Sequence, residues 1–120
     1  MSRTHAPLYV VAHDLCRWLH GRQAPGDALR RARELALTLV GEVALALTFP
    51  KRRPDHLIAA DETVVRLRCT LRVARDAGDL PANATRYAIA ELDRIGRMLG
   101  GWQRSLLVPT GKRGRSEDQV

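Results

Sequence analysis

The sequence predicts an all-α fold, an antiparallel up-down four-helix bundle, and three observations carry that expectation. Proline- and glycine-containing breaks cut the chain into four helix-length segments, at Pro25-Gly26, at Pro50 and Pro54, at Gly78 to Pro81, and at Pro109 to Gly114. Each segment carries apolar residues at alternating three- and four-residue spacing, the signature of one buried helix face. No stretch alternates with the two-residue period of a half-buried strand. The expected helices cover residues 7–20, 27–48, 55–77 and 83–106, inside one domain of residues 1–108, with 109–120 as a flexible basic C-terminal tail.

In the first helix, Leu8, Val11, Leu15 and Trp18 fall on one face, and Gly21 is the expected stop. Asp27 is the expected N-cap of the second, whose seam runs Leu29, Ala32, Ala36, Leu39, Val43 and Ala46. This helix also carries Leu35, Leu37, Val40, Leu45 and Leu47, more apolar surface than one face of a lone small bundle needs, so it predicts self-association. The third helix, expected to be capped by Asp55 and closed by Gly78, has the seam Leu57, Ala60, Val64, Leu67, Leu71 and Ala74. The fourth, with Asn83 as its expected N-cap, has Ala88, Leu92, Ile95, Leu99, Trp102 and Leu106.

The chain has 120 residues and a formal net charge of +7. Of its 20 basic residues only Lys51 and Lys112 are lysine. Guanidinium groups fork onto phosphates and stack on bases, so the balance points to RNA or to an acidic protein face. Two cysteines, Cys16 and Cys69, make no disulfide framework and are expected as small apolar fillers in a reducing compartment. The first residues lack the apolar core of a secretion signal, and the longest apolar stretch, Leu35 to Phe49, is too short and too polar to span a bilayer, so a cytoplasmic, membrane-free protein is expected. His5, His13, His20 and His56 stand at no metal-ligand spacing, and no nucleophile elbow or phosphate-binding glycine loop occurs; neither metal, cofactor nor catalysis is expected.

Several basic groups are candidates for nucleic-acid contact. Lys51, Arg52 and Arg53 sit between two prolines, which suggests a stiff cationic loop able to clamp phosphate. Arg68, Arg72 and Arg75 form a stripe at four- and three-residue spacing beside the third seam, while Arg30 and Arg33 lie early in the second helix. Lys112, Arg113 and Arg115 make the tail basic. Each has a plain alternative, a charge solvated in water or paired with a nearby carboxylate such as Asp61, Asp76, Glu91 or Asp93. Arg94, Arg97 and Arg104 fall nearly opposite the fourth seam and are expected to face outward.

Three glycines, Gly96, Gly100 and Gly101, interrupt the fourth helix just before Trp102, although each glycine costs a helix about 1 kcal/mol relative to alanine. Gly96 and Gly100 are four apart and suggest close approach of another backbone, within the bundle or from a neighbouring subunit. The run Ile95-Gly96-Arg97-Met98-Leu99-Gly100-Gly101-Trp102-Gln103-Arg104-Ser105 resembles the signature of a bacterial four-helix-bundle family. That family comprises proteins encoded in intervening sequences of 23S ribosomal RNA and the accessory variability determinants of diversity-generating retroelements. The run Leu67 to Gly78 is similar to its third helix, and His13-Asp14-Leu15 with Trp18 extend the likeness to the first. The family's usual proline-basic first loop is replaced by Gln23 to Asp27, and the basic run stands at Lys51 to Arg53.

The resemblance implies a non-catalytic accessory protein, a basic homopentameric barrel that binds the retroelement's reverse transcriptase and its template-repeat RNA or an RNA/DNA hybrid. The polymerase then performs the mutagenic cDNA synthesis. It also implies that Gly96, Gly100, Gly101, Trp102, Arg94, Arg97 and Arg104 serve helix packing or a subunit or partner interface. The rivals are a ribosomal-insert bundle with an RNA- or protein-binding role and a helical ribonuclease of the HEPN type. The latter needs an arginine-histidine pair for which Arg52 and His56 are the nearest match.

Overall fold

A computed structural model of the chain describes residues 5–23 and 26–107. Four helices, α1 (Ala6–His20), α2 (Asp27–Thr48), α3 (Arg53–Asp76) and α4 (Ala82–Leu107), account for nearly all of them, and no strand occurs among the described residues. Each helix packs on its neighbours in the cyclic order α1, α2, α3, α4, with α4 closing against α1, and the α2–α3 contact is the most extensive. Short connections between long, mutually packed helices make consecutive helices antiparallel. One end of the bundle therefore gathers the α1–α2 and α3–α4 connections. The other gathers the α2–α3 turn with the start of α1 and the end of α4. The tail expected at 109–120, with Lys112, Arg113 and Arg115, lies outside the described residues.

The seams are where the spacing puts them, with two exceptions. Every expected seam residue is buried except Trp18, which is half-buried at the α1–α4 edge, and Leu106, which is 42% exposed in the last turn of α4. Leu19, Leu35, Leu47 and Leu80, with the smaller Ala12, Cys16 and Ala84, complete the core. Burying a leucine stabilises by roughly 1.5–3 kcal/mol, so twelve large side chains with under 2% exposure make this core the main source of stability.

The helix ends differ from expectation in an instructive way. Asp27 is not the cap of α2; it is the first helical residue, and Gly26 stands at the N-cap without a side chain to offer. Asp79, from the α3–α4 connection, supplies the carboxylate instead, accepting the Leu29 backbone N–H at 3.2 Å. A Cβ on Gly26 would collide with that carboxylate, which is why glycine suits the position. Asp55 is likewise no cap: Pro50–Arg52 form a single 3-10 turn that runs directly into α3 at Arg53. Asn83 lies inside α4, whose first turn is tied by Thr85, donating both N–H (2.9 Å) and Oγ1–H (3.0 Å) to the Pro81 carbonyl. Gly78 closes α3 in the left-handed region, at φ +83°, and lets the Asp79 N–H reach back to the Ala74 carbonyl at 2.8 Å.

Candidate nucleic-acid and subunit interface

The arginines divide by what their guanidinium groups already hold. Arg33 donates to carbonyls at the end of α1, from Nε to Leu19 at 3.1 Å and from Nη2 to His20 and Arg22. Arg53 does the same for α2: its Nε donates to the Ala46 carbonyl at 2.7 Å, and its guanidinium lies over the Trp102 ring, 5.4 Å from the centroid. Both side chains donate to carbonyls in the last turn of a helix, beyond the reach of its own i→i+4 bonds, and their charge complements the negative end of the helix dipole. The expected Lys51-Arg52-Arg53 clamp is therefore two exposed cations beside one half-buried structural arginine.

Trp102 is buried at 2% exposure, stacked on His5 with ring centroids 4.2 Å apart and an 8° tilt, with Arg53 also over the ring. Burial, and secondarily the Arg53 charge, hold the His5 imidazole below its ordinary value. Trp102 thus ties the start of α1, the start of α3 and the end of α4 together, in line with a packing role.

The α3 stripe is heterogeneous. Arg68 reaches Asp93 on α4 at 2.7 Å, half-buried, and pins those helices together. Arg75 pairs with Asp76 at 3.0 Å, Arg30 with Asp27 at 2.6 Å, and Arg94 with Glu91 at 3.8 Å. These pairs are exposed or nearly so and contribute at most about 1 kcal/mol each, so a phosphate could compete for the arginines. Lys51, Arg52, Arg66, Arg72, Arg97 and Arg104 stand exposed with no carboxylate in ion-pair reach among the described residues.

Among the described residues, none brings a second backbone against the glycines of α4. A Cβ on Gly96 would meet only Val64 Cγ1 at 3.9 Å; one on Gly100 or Gly101 would meet only Arg104, at 3.3 Å and 3.8 Å. Close approach of another backbone among the described residues is therefore not the reason for these glycines.

Unpartnered apolar surface is present, although not all of it where the sequence suggested. Leu35 and Leu47 are buried in the core. Leu37 (57% exposed) and Leu45 (41%) flank Gly41, which has open space around it, on the outer face of α2. A groove of about 390 Å³ between the start of α1 and the end of α2 is lined by Ala6, Tyr9, Val10, Ala44, Leu47 and Thr48. On α3, Ile58, Val65 and Val73 are also exposed, and Cys69 lies on that outward side, not in the core as expected for an apolar filler; Cys16 is buried.

Sequence reasoning missed one cluster altogether. Trp18 and Tyr87 meet across the α1–α4 edge with ring centroids 5.0 Å apart, and the Arg22 guanidinium covers the Trp18 ring at 5.1 Å. The two rings come from opposite parts of the chain, so only the fold brings them together. No described helix is long and apolar enough to cross a membrane. The chain matches no family model, and no curated protein or solved structure matches it.

Proposed function

We propose that this protein is a non-catalytic, cytoplasmic binding module of the accessory variability determinant type, which holds a reverse transcriptase and its template-repeat RNA, or an RNA/DNA hybrid, together for mutagenic cDNA synthesis. The observation that carries the RNA part is the set of exposed cations with no carboxylate in ion-pair reach among the described residues, with Lys51 and Arg52 at one end of the bundle and Arg72 along α3. Phosphate contacts from such groups add through counterion release and need no preformed pocket. The polymerase and the family assignment rest on the likeness of Ile95 to Ser105 and of Leu67 to Gly78 to the family signature. A homo-oligomer, a pentamer by that likeness, is supported by the open apolar surface around Leu37, Gly41 and Leu45 and by α4 glycines that meet no second backbone among the described residues.

The test is RNA binding followed across a salt series, together with capture of a purified reverse transcriptase of a diversity-generating retroelement. Affinity for unrelated RNAs should fall by roughly 0.7–0.9 log units per engaged phosphate for each tenfold rise in salt. RNA binding that is absent, or insensitive to salt, together with failure to capture the polymerase, would remove the reading.

A further inference from the structure

We propose that the cleft between Trp18 and Tyr87 is a site for single-stranded RNA, in which an unpaired base stacks on the Trp18 ring with Tyr87, tilted 53° to it, as the second wall, while neighbouring arginines take the flanking phosphates; this rests on the RNA-binding reading above and adds a defined site to it. The cleft holds about 490 Å³ and is lined by Asp14, Arg17, Trp18, Gly21, Arg22 and Tyr87, within the size range of small-ligand sites. Tyr87 is 47% exposed, so its ring can be reached from solvent, and an amphipathic ring with one open face suits an interface. Arg17 and Arg86, the latter next to Tyr87 on α4, are exposed with no carboxylate in ion-pair reach among the described residues.

Arg22 explains how the site is kept ready. Its guanidinium rests on the Trp18 ring at 5.1 Å, where a base would stack. Its backbone is fixed by the Arg33 guanidinium, which donates to the Arg22 carbonyl, and by its own N–H, which reaches the Leu19 carbonyl at 3.3 Å. The side chain can therefore swing while its base point stays put. A base arriving on the ring replaces one cation–π contact with stacking and frees the guanidinium for a phosphate. Aromatic rings among arginines are what sequence-tolerant single-strand binding uses, because every base has a π-face. A duplex keeps its bases stacked on each other and offers this cleft only phosphates.

The two tryptophans make the experiment selective. Trp102 is 2% exposed, so a contact quench on adding oligonucleotide reports Trp18. Fluorescence and anisotropy titrations with a single-stranded RNA and with its duplex should be run on the parent, Tyr87→Ala and Tyr87→Phe. The expected result is quenching by the single strand only, a loss of about tenfold or more in single-strand affinity for Tyr87→Ala, near-parental affinity for Tyr87→Phe, and unchanged duplex binding. Parental single-strand affinity in Tyr87→Ala, with RNA binding otherwise intact, overturns the cleft proposal alone. A parent that binds neither form removes the RNA reading and the cleft with it. Loss of capture of a protein partner by Tyr87→Ala, with RNA affinity unchanged, assigns the cleft to protein recognition and also overturns it.

Discussion

The Arg53 guanidinium lies over the Trp102 ring, 5.4 Å from its centroid, so a cation that looked available for RNA is committed to the fold. Replacing Arg53 with Ala should destabilise by about 1–3 kcal/mol, since it strips the Ala46 carbonyl of its donor and uncovers a buried indole. Thermal melts of Arg53→Ala and Arg52→Ala check this. Equal melting temperatures would show that the contact is incidental.

Lys51 and Arg52, exposed in the 3-10 turn, should behave in the opposite way. Changing both to Ala should leave stability within about 0.5 kcal/mol. The same pair of changes should flatten the salt dependence of RNA binding by roughly 0.7–0.9 for each phosphate that the turn engages in the parent. A double variant with parental affinity and slope would make the turn an ordinary solvated one.

Gly41 and Gly100 separate fold from assembly. Gly41→Ala should stabilise the bundle by up to about 1 kcal/mol, because a Cβ there meets nothing within 4 Å and alanine favours helix. Gly100→Ala should not lower the melting temperature of the isolated bundle, since a Cβ there meets only the flexible end of Arg104, at 3.3 Å, among the described residues; Gly100→Leu places a larger side chain at the same point. It should weaken self-association, read by sedimentation. A parent that sediments as a 13.4 kDa monomer at micromolar concentration, or a Gly100→Leu oligomer identical to the parent, would mean that α4 is not a subunit contact.

Glu42 sets a pH dependence. Its Oε1 is buried without a hydrogen-bond partner among the described residues, and burial raises its carboxyl above the ordinary value, with Thr63 and the Arg66 charge opposing. A raised carboxyl pKa means the folded state holds its proton longer than the unfolded chain does. Stability then falls as pH rises from the ordinary carboxyl value of 4.5 through the folded one, and the loss persists at neutral pH. Glu42→Gln should therefore melt higher than the parent at pH 7, with the difference shrinking towards pH 4. A constant difference at both pH values would place its cause outside titration.

The bundle was legible in the sequence because burial imposes a period: Leu57, Leu67, Leu71, Leu92 and Leu99 sit where three-four spacing requires and are fully buried. Trp18 obeys the same spacing yet ends at an edge, because Leu19, one residue on and fully buried, takes the last core position of α1. What the sequence hid was reach. A guanidinium can satisfy a carbonyl on another helix, as Arg33 does at Leu19, and a carboxylate can cap a helix fifty positions away, as Asp79 does at Leu29. The Trp18–Tyr87 cluster depends on α1 and α4 lying side by side, and no local pattern announces it.

The contrast between the two cysteines gives the molecule a chemical handle. Cys16 is shut in the core, where burial raises its thiol pKa and suppresses the thiolate, the form that reacts with alkylating reagents. Cys69 lies open on the outward side of α3, beside Thr70 and Val73. In the native state a maleimide dye should therefore attach at one position, and its rate of attachment becomes a footprint of that flank: fast where α3 faces water, slow wherever another molecule shields it.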